Sequence, residues 1–165
     1  MTEQNNHLGT IKKAGTYYQA NLVRILPHPL ELVWEMLTDP SRFVDWLAPG
    51  SIELKEGGRA ELNFQDSGII IDSLVSQFKE HALLEYSWSS GDEPPRPVCW
   101  ALESSDEGTQ LTLTLGIPED EDAARSCAGW EAHLMMLAAA IEGVPIKFPF
   151  ERFVSTREAY KQLMA

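Results

Sequence analysis

The sequence predicts an α+β domain in which one curved antiparallel sheet wraps a long C-terminal helix. Three observations predict it. The first is the stretch from Asp120 to Gly143, which reads as a single helix. Cys127, Trp130, Leu134, Leu137 and Ile141 recur at spacings of three and four, the period that lines up one helical face. The second is the region from Ser51 to Gly116, where apolar and polar residues alternate in short runs closed by tight turns. That is the pattern of antiparallel strands with one dry and one wet face. The third is their order, strands first and helix after, so that the helix can lie across the sheet. From Leu134 to Ile141 every residue is apolar, so this helix needs cover on a second side.

A chain of 165 residues suits one domain, with 1–15 as a flexible leader and 16–165 as the folded unit. Thirteen basic and 25 acidic residues give a net charge of −12. That balance argues against nucleic acid or an anionic membrane as the main partner, because both call for a basic surface. Cys99 and Cys127 make neither a disulfide framework nor a metal spacing. Met1 to Thr10 is polar and carries no apolar signal core, which points to a cytoplasmic protein.

The elements follow in order. Thr16 to Leu26 is rich in Tyr, Val, Ile and Leu and reads as a strand, with either face a candidate for the core. Pro27 and Pro29 end it. Two short helices come next. Leu30, Val33, Trp34 and Leu37 mark the first. Asp39 and Pro40 open the second, whose apolar side is Phe43, Trp46 and Leu47. About six to seven strands make up the sheet. Ala60, Leu62 and Phe64 form one dry face; Leu84, Tyr86 and Trp88 another; Val98, Trp100 and Leu102 a third; Leu111, Leu113 and Leu115 a fourth. Gly57-Gly58 and Asp106-Glu107-Gly108 are hairpin turns. Gly143 and Pro145 end the long helix. Val144 to Phe150 is extended, and Ser155 to Met164 is a short final helix that could supply the second cover; a homodimer is the other source of it.

Several motifs resemble the SRPBCC superfamily (START-like, helix-grip fold), and within it the Hsp90-ATPase-activator homologues. Pro29-Leu30-Glu31-Leu32-Val33-Trp34 with Leu37, Thr38, Asp39 and Pro40 looks like that family's first helix. Gly108-Thr109-Gln110-Leu111-Thr112-Leu113-Thr114 is similar to its penultimate strand. Gly129-Trp130-Glu131-Ala132-His133-Leu134 with Leu137 and Glu142-Gly143 is similar to its closing helix and is the most specific match. The likeness runs from Tyr17 to Gly143. Two positions depart from it: Leu115 stands where the family often has His, and Trp46-Leu47 where it often has two aromatics. The resemblance implies an apolar cavity between sheet and helix. It also implies either a small apolar ligand or a chaperone as partner, with a stress-response setting among the family's associations, and no fixed chemistry.

The cavity wall expected from these readings is Trp46, Phe64, Tyr86, Trp88, Trp100, Leu113, Trp130, Leu134 and Leu137. Plain core packing is the competing reading of the same residues. Binding without catalysis, with no cofactor and no metal, is the leading functional reading. A polyketide cyclase or aromatase is the alternative, and it would need ionisable groups in the cavity, for which Tyr86, Asp72 and His133 are the candidates. A third reading gives Trp34 and Trp46 to a protein partner at an apolar rim. Gly129 inside the helix predicts a close approach there, by a packed strand or by a ligand, with close packing the leading reading.

Overall fold

The computed structural model describes residues 8–64 and 68–164. Eight strands form one antiparallel sheet: β1 (Thr10–Ala14), β2 (Tyr17–Leu26), β3 (Gly50–Ile52), β4 (Arg59–Phe64), β5 (Ile69–Lys79), β6 (Leu83–Ser87), β7 (Pro97–Ser105) and β8 (Gly108–Pro118). Their spatial order is β1-β2-β8-β7-β6-β5-β4-β3. The sheet is therefore a meander from β3 to β8, with β2 returning from the far end of the sequence to pair with β8. Helices α1 (Leu30–Thr38) and α2 (Pro40–Trp46) bridge β2 to β3, and α3 (Ala123–Ile141) and α4 (Phe150–Met164) follow the sheet.

The alternation behaves as the sequence predicts. Leu84, Tyr86, Val98, Trp100, Leu111, Leu113 and Leu115 all turn inward and are buried. In β5 the register shifts between Val75 and Gln77, a bulge that returns Phe78 to the side of Ile71 and Val75. On β2 the inward face is the one carrying Ala20, Leu22 and Leu26, while Val23 and Ile25 are exposed. Arg24 shares that inward face, and its partners are described below.

Three boundaries differ from expectation. Residues 10–14, assigned to a loose leader, form β1 and pair with β2 from Thr10↔Asn21 to Ala14↔Tyr17. The sheet has eight strands rather than six to seven. The final helix begins at Phe150 rather than Ser155, with the Pro149 carbonyl accepting from Phe153 N–H at 2.9 Å. α4 lies along α3 and supplies its second cover from the same chain. α3 ends where the sequence predicts, at Gly143, which takes φ +82°, a value only glycine adopts without strain; at its start Asp122 caps the helix, accepting from Arg125 N–H at 3.0 Å.

Candidate functional site

Strand alternation and one turn of α3 bring the predicted aromatics together. Trp130, from α3, packs edge-on against Trp100 of β7 at 5.6 Å and Trp88 after β6 at 4.7 Å between ring centroids. Trp46 meets Trp100 at 5.6 Å, Phe64 meets Trp88 at 5.6 Å, and Tyr86 meets Trp88 at 6.5 Å. These spacings and tilts are those favoured by aromatic quadrupoles. Leu113 sits directly across the β7–β8 ladder from Trp100. Leu134 and Leu137 continue the apolar face of α3 into the same core.

The cluster has a sealed end and an open end. Trp46, Tyr86 and Trp100 are 1% exposed, and Leu113 and Leu137 are 0%. A side chain lining a space wide enough for water would keep some accessible area, so these five act as a packed floor. Leu134 is also buried. Phe64 and Trp88 are only half-buried, and the cluster continues outward from them through His133, a cavity candidate from the sequence, and Phe148, which the sequence does not mark. His133 lies 6.1 Å from Phe64, 5.6 Å from Trp130 and 5.8 Å from Phe148. Phe148 is itself 41% exposed and packs on Phe153 at 5.6 Å.

His133 is the polar group of this aromatic mouth. Its Nδ1 is 2.9 Å from the Trp46 carbonyl oxygen. A carbonyl only accepts, so Nδ1 carries the proton. Burial holds the imidazole pKa below its usual value, against the opposing pull of the Trp46 carbonyl, and so favours the neutral ring.

The other ionisable candidates lie elsewhere. Asp72 is on the outer face of β5, where Arg59 donates to it at 3.0 and 3.1 Å and holds its carboxyl below the usual range. The Tyr86 hydroxyl accepts from Trp100 Nε1 at 3.4 Å, and burial pushes its pKa up to about 12. Burial likewise pushes the Cys127 thiol up to about 12, which makes it a small core hydrophobe. Trp34 and Trp46 are buried, at 5% and 1% exposure, and Trp46 Nε1 donates to the Met36 carbonyl at 2.9 Å; neither forms the exposed rim that a protein partner would need.

Glu131 does not accompany His133. Residues two apart on a helix point roughly 200° apart, and Glu131 faces β2 and α4, where it is 5% exposed. Arg24 donates to its Oε1. Tyr160 donates to its Oε2 at 2.5 Å, and the Tyr160 hydroxyl in turn accepts from Gly9 N–H at 2.7 Å. Four segments thus converge on one buried carboxylate. Nothing in the sequence separated Glu131 from a solvated helix residue.

Gly129 also departs from expectation. Among the described residues, nothing lies within 4 Å of the position a Cβ would take there. The glycine, one turn before His133, leaves space rather than admitting a close neighbour. A separate open depression of about 300 Å³ lies at the other end of α3, lined by residues that include Tyr18, Glu119, Glu121, Asp122 and Lys161. Among the described residues no group of three or more His, Cys, Asp or Glu could hold a metal ion, and no helix is long and apolar enough to cross a membrane.

The fold is widely shared among solved structures. CalU16 from Micromonospora echinospora superposes with a TM-score of 0.75 at 21% identity, over 94% of each chain. The conserved protein EF2215 from Enterococcus faecalis gives 0.76 at 18% identity, over 98% of this chain and 95% of that one. DynU16, from the dynemicin biosynthetic locus, gives 0.70 at 30% identity over 77% of this chain, which spans about half (48%) of its length. No curated protein matches the sequence significantly. The family model for Activator of Hsp90 ATPase homolog 1-like protein matches residues 27–142, from the turn before α1 to the end of α3. That span holds both short helices, β3 to β8 and the aromatic face of α3, so the chain belongs to the Activator of Hsp90 ATPase homolog 1-like family of SRPBCC-type, helix-grip proteins.

Proposed function

We infer that this protein binds a small apolar ligand at the open end of the aromatic cluster, between the sheet and α3, and does no chemistry on it. The observation that carries this reading is the gradient along the cluster, from the sealed floor at Trp46, Tyr86 and Trp100 to the half-buried Phe64, Trp88 and His133. Aromatic side chains left half-buried together beside a buried floor are the kind of apolar lining that small-molecule sites use. The unfilled position beside Gly129 adds room on the same helix. The ligand would stack on Trp88, Phe64 and Trp130, with Leu113, Leu134 and Leu137 behind them. The place of DynU16 in a biosynthetic locus is compatible with a small-molecule role for this fold.

The cyclase reading is weaker. It needs two ionisable groups at the ligand, and of its three candidates Asp72 is on the outer face, Tyr86 is in the floor and His133 alone is at the mouth. A chaperone-associated role draws on the family description alone.

The test is native mass spectrometry of freshly purified protein, joined to titration with 8-anilinonaphthalene-1-sulfonate. A retained small molecule, or saturable dye binding weakened at least tenfold in Trp88→Ala with an unchanged fold by circular dichroism, supports the reading. Dye binding that is absent, or indifferent to Trp88, refutes it.

A further inference from the structure

The ring that closes the aromatic mouth also carries a hydrogen-bonding atom with no assigned task. His133 Nδ1 is committed to the Trp46 carbonyl, so in the neutral ring the lone pair is on Nε2. Among the described residues Nε2 has no hydrogen-bond partner. It is not among the buried side-chain atoms without a partner in the described residues, where Arg157 Nε, on α4, is the one found. The imidazole is surrounded by the rings of Phe64, Trp130 and Phe148, so Nε2 is a polar atom in an aromatic setting.

We propose that the ligand of this site is a flat apolar molecule bearing a hydroxyl or N–H group, and that His133 Nε2 accepts that hydrogen bond. The proposal rests on the reading of the cluster as a ligand site. Three features support the acceptor role. The Trp46 carbonyl fixes the tautomer and the ring orientation from outside the site, as a positioned acceptor requires. Burial favours the neutral ring, so Nε2 stays unprotonated at neutral pH. The rings around it provide no competing acceptor, so a ligand that lacked a donor would bury Nε2 without a partner. An unmet buried polar atom is costly, and that cost is what would make the site select. The Tyr86 hydroxyl is in the sealed floor, where it accepts from Trp100 Nε1.

The test uses a matched pair of probes, 2-naphthol and 2-methoxynaphthalene, which differ in the donor and little in shape. Their affinities are measured by displacement of the dye from wild type, His133→Phe and His133→Gln. The expected result is a preference for 2-naphthol of roughly tenfold in wild type, the scale of one hydrogen bond made against one left unmade. His133→Phe should reduce it to near unity. His133→Gln, whose amide carbonyl still accepts, should keep part of it. Nuclear magnetic resonance of wild-type protein labelled with nitrogen-15 at histidine gives a readout independent of any variant: the His133 Nε2 signal should move with 2-naphthol and hold still with the methyl ether. If both probes bind wild type equally, or if the preference survives in His133→Phe, the acceptor role is overturned while the apolar site stands. If neither probe binds, both the acceptor role and the site fall.

Discussion

Gly129→Ala should stabilise this protein. Glycine in a helix interior is less favourable than alanine by about 0.5–1 kcal/mol, because its backbone loses more freedom on folding. That gain is usually cancelled where another segment needs the space. Here the added Cβ meets nothing within 4 Å among the described residues, and Gly129 is not among the glycines with positive φ. The full propensity difference should therefore appear. For a domain of this size the unfolding entropy is on the order of 0.35 kcal/mol/K, so about 1 kcal/mol corresponds to a rise in Tm of roughly 3 °C. Scanning calorimetry gives Tm, and urea unfolding checks that the slope is unchanged. A dye titration on the same samples adds a second reading. If a ligand passes over Gly129, the variant will be more stable and bind less well, an outcome that simple repacking does not produce. A lower Tm would refute the reasoning, because it would mean that something does occupy the space.

Three further perturbations probe other parts of the molecule. Tyr160→Phe removes the donor to Glu131 and the acceptor of Gly9 N–H, and should cost about 1–3 kcal/mol by urea unfolding; Glu131→Leu removes the buried carboxylate to which both Arg24 and Tyr160 donate and should cost about 3–5 kcal/mol. If both changes are near neutral, the cluster contributes no stability. The His133 pKa is lowered by burial, so the unfolded chain takes up its proton at a higher pH than the native one does. The stability this neutral ring confers is complete above about pH 6.5 and is lost as the pH falls through that value toward the folded pKa. Urea midpoints should therefore fall more steeply between about pH 7 and pH 5 in wild type than in His133→Gln, and equal slopes would contradict the burial argument.

Some of this architecture was readable without coordinates. The strands β4, β6, β7 and β8 alternate cleanly because each has one wet face and one dry face. Their aromatics at 64, 86, 88 and 100 could be assigned to one side of the sheet on that ground alone. β2 resisted the same treatment because Arg24 sits on its inward face. A charge there looks like an error until the partner on α3 is in place. β1 was missed for a different reason. Thr-Ile-Lys-Lys-Ala has no amphipathic pattern, and it is a strand only because the edge of β2 is there to pair with it. The α4 helix was shortened because prolines at 145 and 149 read as extended chain, although Pro149 in fact opens the helix. For the site, sequence periodicity named the rings but not their depth. Whether Trp100 is floor and Trp88 is wall depends on how far each strand runs before α3 crosses it.

The return of β2 to β8 has a consequence for how the protein is made. Residues 10–26 leave the ribosome well before their main partner strand, which does not begin until Gly108. Arg24 waits longer still, for Glu131, and Gly9 waits for Tyr160. The β1–β2 hairpin must therefore wait for β8 while the intervening strands are made. The hold on Gly9 is not complete until α4 is out. A truncation before Tyr160 would release not only α4 but also the hold on the N-terminal segment at Gly9, so nascent chains stalled in that interval should be the ones most exposed to proteases.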